Sequence, residues 1–490
     1  MYRGGRSSAH AEVRAFVVAK MRGSSRGAKE RREVECVKFK CMERTSTEVS
    51  EKTKPVEEAP LGLREWLQRT AEPCVWTERM LTALVEGVKG DKWFSLMDKV
   101  YARRTLSRAW ERVRSKGTAA GVDRQSMAFF AKDAEKRLDK LHRELKEDRY
   151  TPQPVKRTWI DKSGKKEKRP LGIPAVRDRI VQTALLMVLE PIFEREFVPN
   201  SYGFRKGMGC KDALREVDQH VQAGCNWVVD VDFKGFFDTI DHERLMELIR
   251  RRISDGRVLA LLQAYLNAEI LDGMRRWKPE TGTPQGAVIS PLLANVFLHE
   301  LDVRMKQAGH RMVRYADDFV VLCETETEAN SALEMVHCYA DEYELTVHPD
   351  KTRIGNCSRY GEGFDFLGYH FERGKRWPSA EKLPQLRARL RPLLKRTNGR
   401  SLEAIIADIN PILRGWFEYF KHSGLSAMKT VDGWVRKRLR SILRKRRKRK
   451  GNAKGADHQR WPNVFFTAHG LFSLKQARES TRQSLYRGNH

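Results

Sequence analysis

The sequence predicts an α+β domain followed by an α-helical one. Three observations carry this expectation: β-rich runs alternate with helical runs over residues 150–375, strand-like runs stop after Lys382, and the remainder has the pattern of amphipathic helix. In the first region "WVVDVDF", "HRMVRYA" and "FVVLCE" have the apolar, β-branched character of buried strands, some of them paired as hairpins. The runs between them, "RIVQTALLMVLEPIFEREF", "SPLLANVFLHELDVRMKQ" and "EANSALEMVHCYADEY", are long enough to be helices. In the second region "LPQLRARLRPLLKR", "LEAIIADINPILRGWFEYFKHS" and "TVDGWVRKRLRSILRKRRKRK" predict three helices.

The remaining segments come in order. Residues 1–60 mix charges, Ser and Thr without periodicity and are expected to form a flexible basic extension. From residue 61 the pattern turns helical, with Leu138, Leu141 and Leu145 at spacings of three and four and Trp110 inside "TLSRAWERV". The expected division is therefore an extension over 1–60, an α+β domain with a helical entry over 61–380, a helical domain over 381–452 and a basic nucleic-acid-binding tail over 453–490.

Composition narrows the function. With 490 residues the chain is long enough for two or three cores, and Lys plus Arg number 94 against 64 Asp plus Glu, a net charge of +30. So one-sided an excess points to a polyanion, nucleic acid above all. The eight cysteines are scattered and form no paired C-x-x-C set, which excludes a disulfide frame and a zinc site and predicts reduced thiols. No apolar run approaches the ~18 residues of a membrane span. The Arg- and Ser-rich first thirty residues read as a basic arm rather than an organelle transit peptide, so a bacterial cytoplasmic, nucleoid-associated protein is expected.

The chemistry lies in the acids. In "RYADDFVVL", Asp317 and Asp318 stand side by side between apolar runs. Two unit charges about 4 Å apart repel by roughly 4 kcal/mol at an effective dielectric near 20, so something must offset the cost. A second acidic cluster lies in "NWVVDVDFKGFFDTIDH". Strand alternation puts Asp230 and Asp232 on one face and Val229, Val231 and Phe233 on the other, without choosing between the two acids. Asp241 then caps a helix. Carboxylates converging from two distant stretches make an oxygen-rich site suited to Mg²⁺, and two such ions about 3.5 to 4 Å apart promote phosphoryl transfer.

Ordered blocks extend this reading: "GTAAGVD" (117–123), "KRPLGIPAVRDRIVQ" (168–182), "SYGFRKGMG" (201–209), "VDFKGFFD" (231–238), "GTPQGAVISPLLAN" (282–295), "YADD" (315–318), "VHPDKTRI" (347–354), "FDFLGYHF" (364–371) and "NPILRGWFEYF" (410–420). Together, over about residues 90–480, they resemble the group II intron-encoded reverse transcriptases, also called maturases. The resemblance implies a right-hand polymerase, fingers and palm with an antiparallel sheet, followed by a helical thumb or maturase domain. It implies that Asp232, rather than Asp230, joins Asp317, Asp318 and the Phe233 carbonyl in holding two Mg²⁺ ions. Phe237 matches the ring that excludes a ribose 2′-hydroxyl. Gln285 matches a residue lining the sugar and base of the incoming nucleotide, with Gly282 and Gly286 letting backbone approach and Pro284 stiffening the turn.

Around "KSGKKEKRPLGIP", Lys162, Lys165, Lys166, Lys168 and Arg169 flank a turn suited to triphosphate oxygens, with Arg169 the favoured ligand and Lys162 and Arg177 behind it. Lys351 resembles the lysine that the family places near the primer end. In the basic run 436–450, eleven of fifteen residues are Lys or Arg. There Leu439, Ile442 and Leu443 dock a helix while Arg436, Lys437, Arg438, Arg440, Arg444, Lys445, Arg446 and Arg447 are expected to meet nucleic-acid phosphates. Trp416, Tyr419, Phe420 and Trp434 are expected in the core rather than stacked on bases.

The expected function is RNA-directed DNA synthesis on a group II intron during retrohoming, with intron RNA, target DNA, a primer and deoxynucleoside triphosphates as partners, and help with intron splicing. The resemblance leaves open whether the chain acts as a homodimer. No Cys/His-rich nuclease module comes after the helical region, so the expected type is the endonuclease-lacking one, its primer found elsewhere. The competing readings are an RNA-binding splicing cofactor without polymerase activity, against which the intact "YADD", "VDF" and "PQG" weigh, and a stand-alone defence or diversification reverse transcriptase, against which "GTAAGVD" and "GWFEYF" weigh.

Overall fold

The computed structural model describes residues 63–487 except 118, 162–167 and 452. The predicted extension over 1–60 lies outside the described residues. Within them the chain forms an α+β region followed by helices, as the patterning predicts.

Among the described residues eleven strands make three sheets. In chain order they are β1 (Val155–Asp161), β2 (Lys168–Ile173), β3 (Trp227–Asp232), β4 (Ile270–Asp272), β5 (Arg275–Trp277), β6 (Arg311–Tyr315), β7 (Asp318–Cys323), β8 (Arg353–Asn356), β9 (Phe364–Phe366), β10 (Tyr369–Glu372) and β11 (Lys375–Pro378). The fingers sheet has the order β2-β1-β4-β5, the palm sheet β6-β7-β3-β8, and a small sheet β11-β10-β9 leads to the helical region. All palm pairings are antiparallel.

Alternation along the palm strands explains their near-continuous apolar runs, because both faces are covered. Val229, Val231, Phe319 and Val321 pack into a core shared with the Ser290–Gln307 and Glu326–Glu342 helices. Val228, Val313, Val320 and Leu322 face a second core that takes in the Cys210–Gln222 helix and the C-terminal helices. Asp230 and Asp232 share the face of Val228, at the end of the sheet where this second core stops. Asp241 caps the following helix by accepting from the Arg244 N–H at 2.8 Å.

The three helices predicted after Lys382 form as Lys382–Leu390, Leu402–Phe420 and Leu425–Arg446. Phe420 is buried, and Trp416, Tyr419 and Trp434 pack against the same core. Of residues 453–490, expected to be a basic nucleic-acid-binding tail, the described part, 453–487, folds back onto the helical domain. Three more helices, Gly455–Arg460, Asn463–Ala468 and Leu474–Arg487, insert Trp461, Phe466, Leu471 and Leu474 into the second core. The apolar residues spaced along this segment make docking more favourable than leaving it in water. No helix among the described residues is long and apolar enough to cross a membrane.

Candidate active site

Strand register brings the predicted acids together. β3 and β7 pair so that Asp232 lies directly opposite Asp318, and such cross-strand partners have Cβ atoms about 5 Å apart. β6 and β7 form a hairpin in which Tyr315 pairs with Asp318, leaving Ala316 and Asp317 as its turn. Ala316 has φ 62°, a left-handed conformation that costs a residue with a Cβ roughly 1 kcal/mol.

Crowding of these acids shows in their proton affinities. Asp318 reaches solvent at its edge yet is pushed up to about 7, first by the desolvation of its crowded surroundings and then by the charges of Asp230, Asp317 and Asp232. Asp230 rises to about 6 through burial, opposed by Arg353 at 3.8 Å and reinforced by Asp365 and Asp232. Asp317 is raised by burial and by Asp232. Asp232 is paired with the Lys351 ammonium, so that lysine sits where a cation is called for. Among the described residues no three acid, thiol or imidazole groups form a ready-made ion cage. The donor chemistry nevertheless fits a hard divalent ion, since the strand register gathers several carboxylates with little positive charge among them. Phe233 follows Asp232 at the strand end, its ring buried against Phe236 and Phe319.

Beside the acids, a cavity of ≈ 730 Å³ is lined by Arg169, Leu171, Phe237, Gln285 and Gly286. Three of the predicted nucleotide-binding residues therefore share one wall. The "GTPQG" glycines do allow close approach, but to protein: a Cβ on Gly282 would lie 2.8 Å from the Asp238 backbone, and one on Gly286 2.7 Å from the Gly172 carbonyl oxygen. Arg177 is not in this group. It pairs with Glu144 at 2.7 Å and lies over the Tyr150 ring. Arg179 lines the cavity instead, together with Thr183 and Leu186. Two residues along a helix rotate a side chain by about 200°, and the spacing 179, 183, 186 marks the inner face. Lys162, Lys165 and Lys166 lie outside the described residues.

A buried ion pair under the acid hairpin could not be anticipated from the local sequence. Arg314 and Asp302 are fully buried and bidentately paired. Arg314 is adjacent to "YADD", yet nothing local distinguishes it from a solvated arginine on a strand edge.

Comparison with known proteins supplies the family. Residues 160–371 match the family described as reverse transcriptase (RNA-dependent DNA polymerase), and residues 383–461 match the group II intron, maturase-specific domain. The group II intron-encoded protein LtrA of Lactococcus lactis subsp. cremoris is 42% identical over 169 residues, 34% of this chain but only 28% of that protein. Protein YkfC of Escherichia coli K12 is 36% identical over 313 residues, 56% of this chain and 79% of that protein. The chain belongs to the group II intron reverse transcriptase and maturase family. A partial Cas6-RT-Cas1--Cas2 complex is 25% identical over 53% of this chain and 44% of that one, with a TM-score of 0.34.

In the maturase-specific domain the cations divide. Of those expected to meet phosphate, Arg440 is buried, donating to the Trp461 carbonyl and the Asn463 side chain at 2.9 Å each and lying over the Phe466 ring. Arg444 pairs with Asp457 at 2.7 Å, Arg436 lies 3.5 Å from Asp432, Arg438 donates to the Leu394 carbonyl at 2.8 Å, and Arg446 donates to the Arg400 carbonyl. Arg440 and Arg444 thus hold the domain together through acceptors that the returning segment supplies, Asp457, Trp461 and Asn463, whereas Arg436 is paired within its own helix and Arg438 and the exposed Arg446 reach carbonyls of the preceding helical segment. Lys437, Lys445 and Arg447 are exposed, as are the following residues to Lys450.

Proposed function

We propose that this protein is an RNA-directed DNA polymerase that copies its parent group II intron RNA into DNA during retrohoming and also binds that RNA to assist its splicing. The observation that carries the reading is the pairing of Asp232 with Asp318 across the palm, with Asp317 in the adjoining turn and the Arg169, Phe237 and Gln285 cavity beside them. Acids whose mutual repulsion is only partly offset, here by Lys351 on Asp232 and Arg353 near Asp230, are unusual in a structural role and ordinary in a cation site.

Asp232, Asp317, Asp318 and the Phe233 carbonyl are the groups that would hold two Mg²⁺ ions. When bound, the ions make the primer hydroxyl easier to ionise and stabilise the leaving oxygen. The chain's own side chains do the rest. Arg169 orients triphosphate oxygens with its planar fork, and Gln285 lines the sugar and base. Phe237 rejects a ribonucleotide by occupying the space its 2′-hydroxyl needs. Lys351, paired with Asp232, stands close enough to the acids to lie beside the primer end. Much of the rate gain comes from holding primer, template and nucleotide in line. Splicing assistance needs no chemistry from the protein: exposed cations around Lys445 and Arg447 stabilise folded intron RNA by binding it.

Primer extension on an RNA template with Mg²⁺ tests this. Wild type should incorporate deoxynucleotides and Asp317→Asn should not, while both bind intron RNA equally well. A wild type that binds the RNA but never extends the primer would leave only a splicing cofactor.

A further inference from the structure

Beneath the "YADD" turn lies a group of residues whose contacts all lead to one peptide. Arg314 and Asp302 are each 0% exposed. Arg314 Nε donates to Asp302 Oδ1 at 2.7 Å and Nη2 donates to Oδ2. The remaining nitrogen, Nη1, donates to Asn295 Oδ1 at 3.0 Å and to the Ala316 carbonyl at 2.9 Å. Ala316 is the left-handed residue of the turn, and its carbonyl belongs to the peptide that leads into Asp317.

The same turn is held from the other side by residues 200–203. The Arg314 N–H donates to the Asn200 carbonyl at 3.0 Å, the Tyr202 N–H to the Arg314 carbonyl at 2.8 Å, and Asn295 Nδ2 to the Gly203 carbonyl at 2.8 Å. Gly203 packs so tightly that a Cβ there would fall 2.1 Å from the Ala316 nitrogen. Asn295 also forms part of the cavity wall shared by Phe237 and Gln285, so this clasp joins the turn to that cavity.

A fully buried ion pair is a poor stability device, since apolar residues of the same volume often do as well or better. Its use must be sought in geometry. We propose that Arg314, clamped by Asp302 and Asn295, is a positioning residue that fixes the Ala316–Asp317 turn and thereby sets the affinity of the acid cluster for its cation. Lysine cannot substitute: it lacks the planar fork that serves both Asp302 oxygens while still reaching Asn295 and the Ala316 carbonyl. Left-handed backbone at a non-glycine residue persists only where its surroundings over-determine it, and this clasp provides that constraint.

The inference rests on the polymerase reading, and the test separates the two. In the full chain, Arg314→Met combined with Asp302→Leu removes the hydrogen bond to Ala316 without leaving a buried charge; Arg314→Lys keeps the charge. Binding of Mn²⁺ alone, followed by electron paramagnetic resonance, should weaken about tenfold in the double variant, the size typical of losing a group that orients ligands. Its melting temperature should stay within a few degrees of wild type, and in RNA-templated extension kcat should fall while the KM for deoxynucleotide holds. Gly203→Ala, which pushes on the turn from the opposite side, should weaken Mn²⁺ binding as well. A double variant with wild-type Mn²⁺ affinity and kcat overturns the assignment. Should it unfold, Arg314→Lys takes its place with the same readouts: weakened Mn²⁺ binding and lowered kcat support the assignment, and wild-type values of both overturn it. A wild type that binds Mn²⁺ but does not extend a primer overturns the polymerase reading alone, and the binding comparison still decides the role of Arg314.

Discussion

The palm and the maturase-specific domain each concentrate charge, and the fold treats the two concentrations in opposite ways. Around Asp318 desolvation comes first and like charges gathered without enough opposite charge come second, and together they raise its proton affinity to about 7. Along the Leu425–Arg446 helix, Arg440 and Arg444 are given carbonyl and carboxylate partners, and Asp432 caps the last helix by accepting from Ser473 Oγ at 2.8 Å and the Leu474 N–H at 3.0 Å. Charge that the protein neutralises for itself is architecture, whereas charge left in deficit is waiting for a ligand. The Arg314–Asp302 pair shows both treatments side by side, a neutralised couple placed directly under acids that are only partly neutralised.

The strongest way to break this contrast is to remove one acid of the deficit. Asp232→Asn should cost primer extension about a thousandfold or more, because a carboxylate lost from a cation site cannot be replaced by its neighbours. The same change frees Lys351 from its partner and relieves repulsion, so thermal stability should hold or rise. A folded Asp232→Asn protein that extends primers within tenfold of wild type would remove the palm from the ligand-seeking class.

Next comes the opposite cluster. Arg440→Met leaves the Trp461 carbonyl and the Asn463 side chain without their buried donor, and should lower stability by about 2–3 kcal/mol in denaturant titration. Lys445→Met, only one turn further on but exposed, should change stability by no more than about 0.5 kcal/mol. It should instead weaken intron RNA binding a few-fold and reduce the salt dependence by about one counterion. If Lys445→Met destabilises and Arg440→Met does not, the division drawn along this helix is wrong.

How much of this was legible in the sequence depends on the range of the interaction. The period of two in "VVDVDF" put Asp230 and Asp232 on one face, and the palm register only had to slide that strand beside β7. Helical spacing likewise gave the helices after Lys382. What stayed hidden was set by partners far along the chain. Arg440 reads like its neighbours until Trp461 and Asn463 return to meet it, and Arg314 reads as a strand-edge cation until Asp302 and Asn295 approach from a helix. Arg177 and Arg179 differ only by rotation about an axis, which the spacing of Thr183 and Leu186 could have resolved.

The smallest expected effect is also the most direct reading of the deficit. Asp318 and Asp230 hold protons up to about 7 and about 6 in the folded chain, against 3.8 for an unperturbed carboxyl. Above neutral pH both are ionised whether the chain is folded or not, and the repulsion between them weighs fully against the folded state. As pH falls through 7 and then 6 the folded protein takes up protons that the unfolded chain does not yet bind, so stability must rise, and go on rising until the unfolded carboxyls titrate near 3.8. The melting temperature of the metal-free protein should therefore increase modestly from about pH 8 to about pH 5.5, the size limited because Asp318 opens to solvent. Asp318→Asn should reduce that increase to the part left by Asp230 and by Asp178, whose carboxyl is also raised by burial to about 6. Saturating Mg²⁺ should reduce it too, because a cation supplies the positive charge that protons otherwise bring. A melting temperature that falls over this range in wild type, or rises as much in Asp318→Asn, would mean that the palm acids are as well compensated as Arg440.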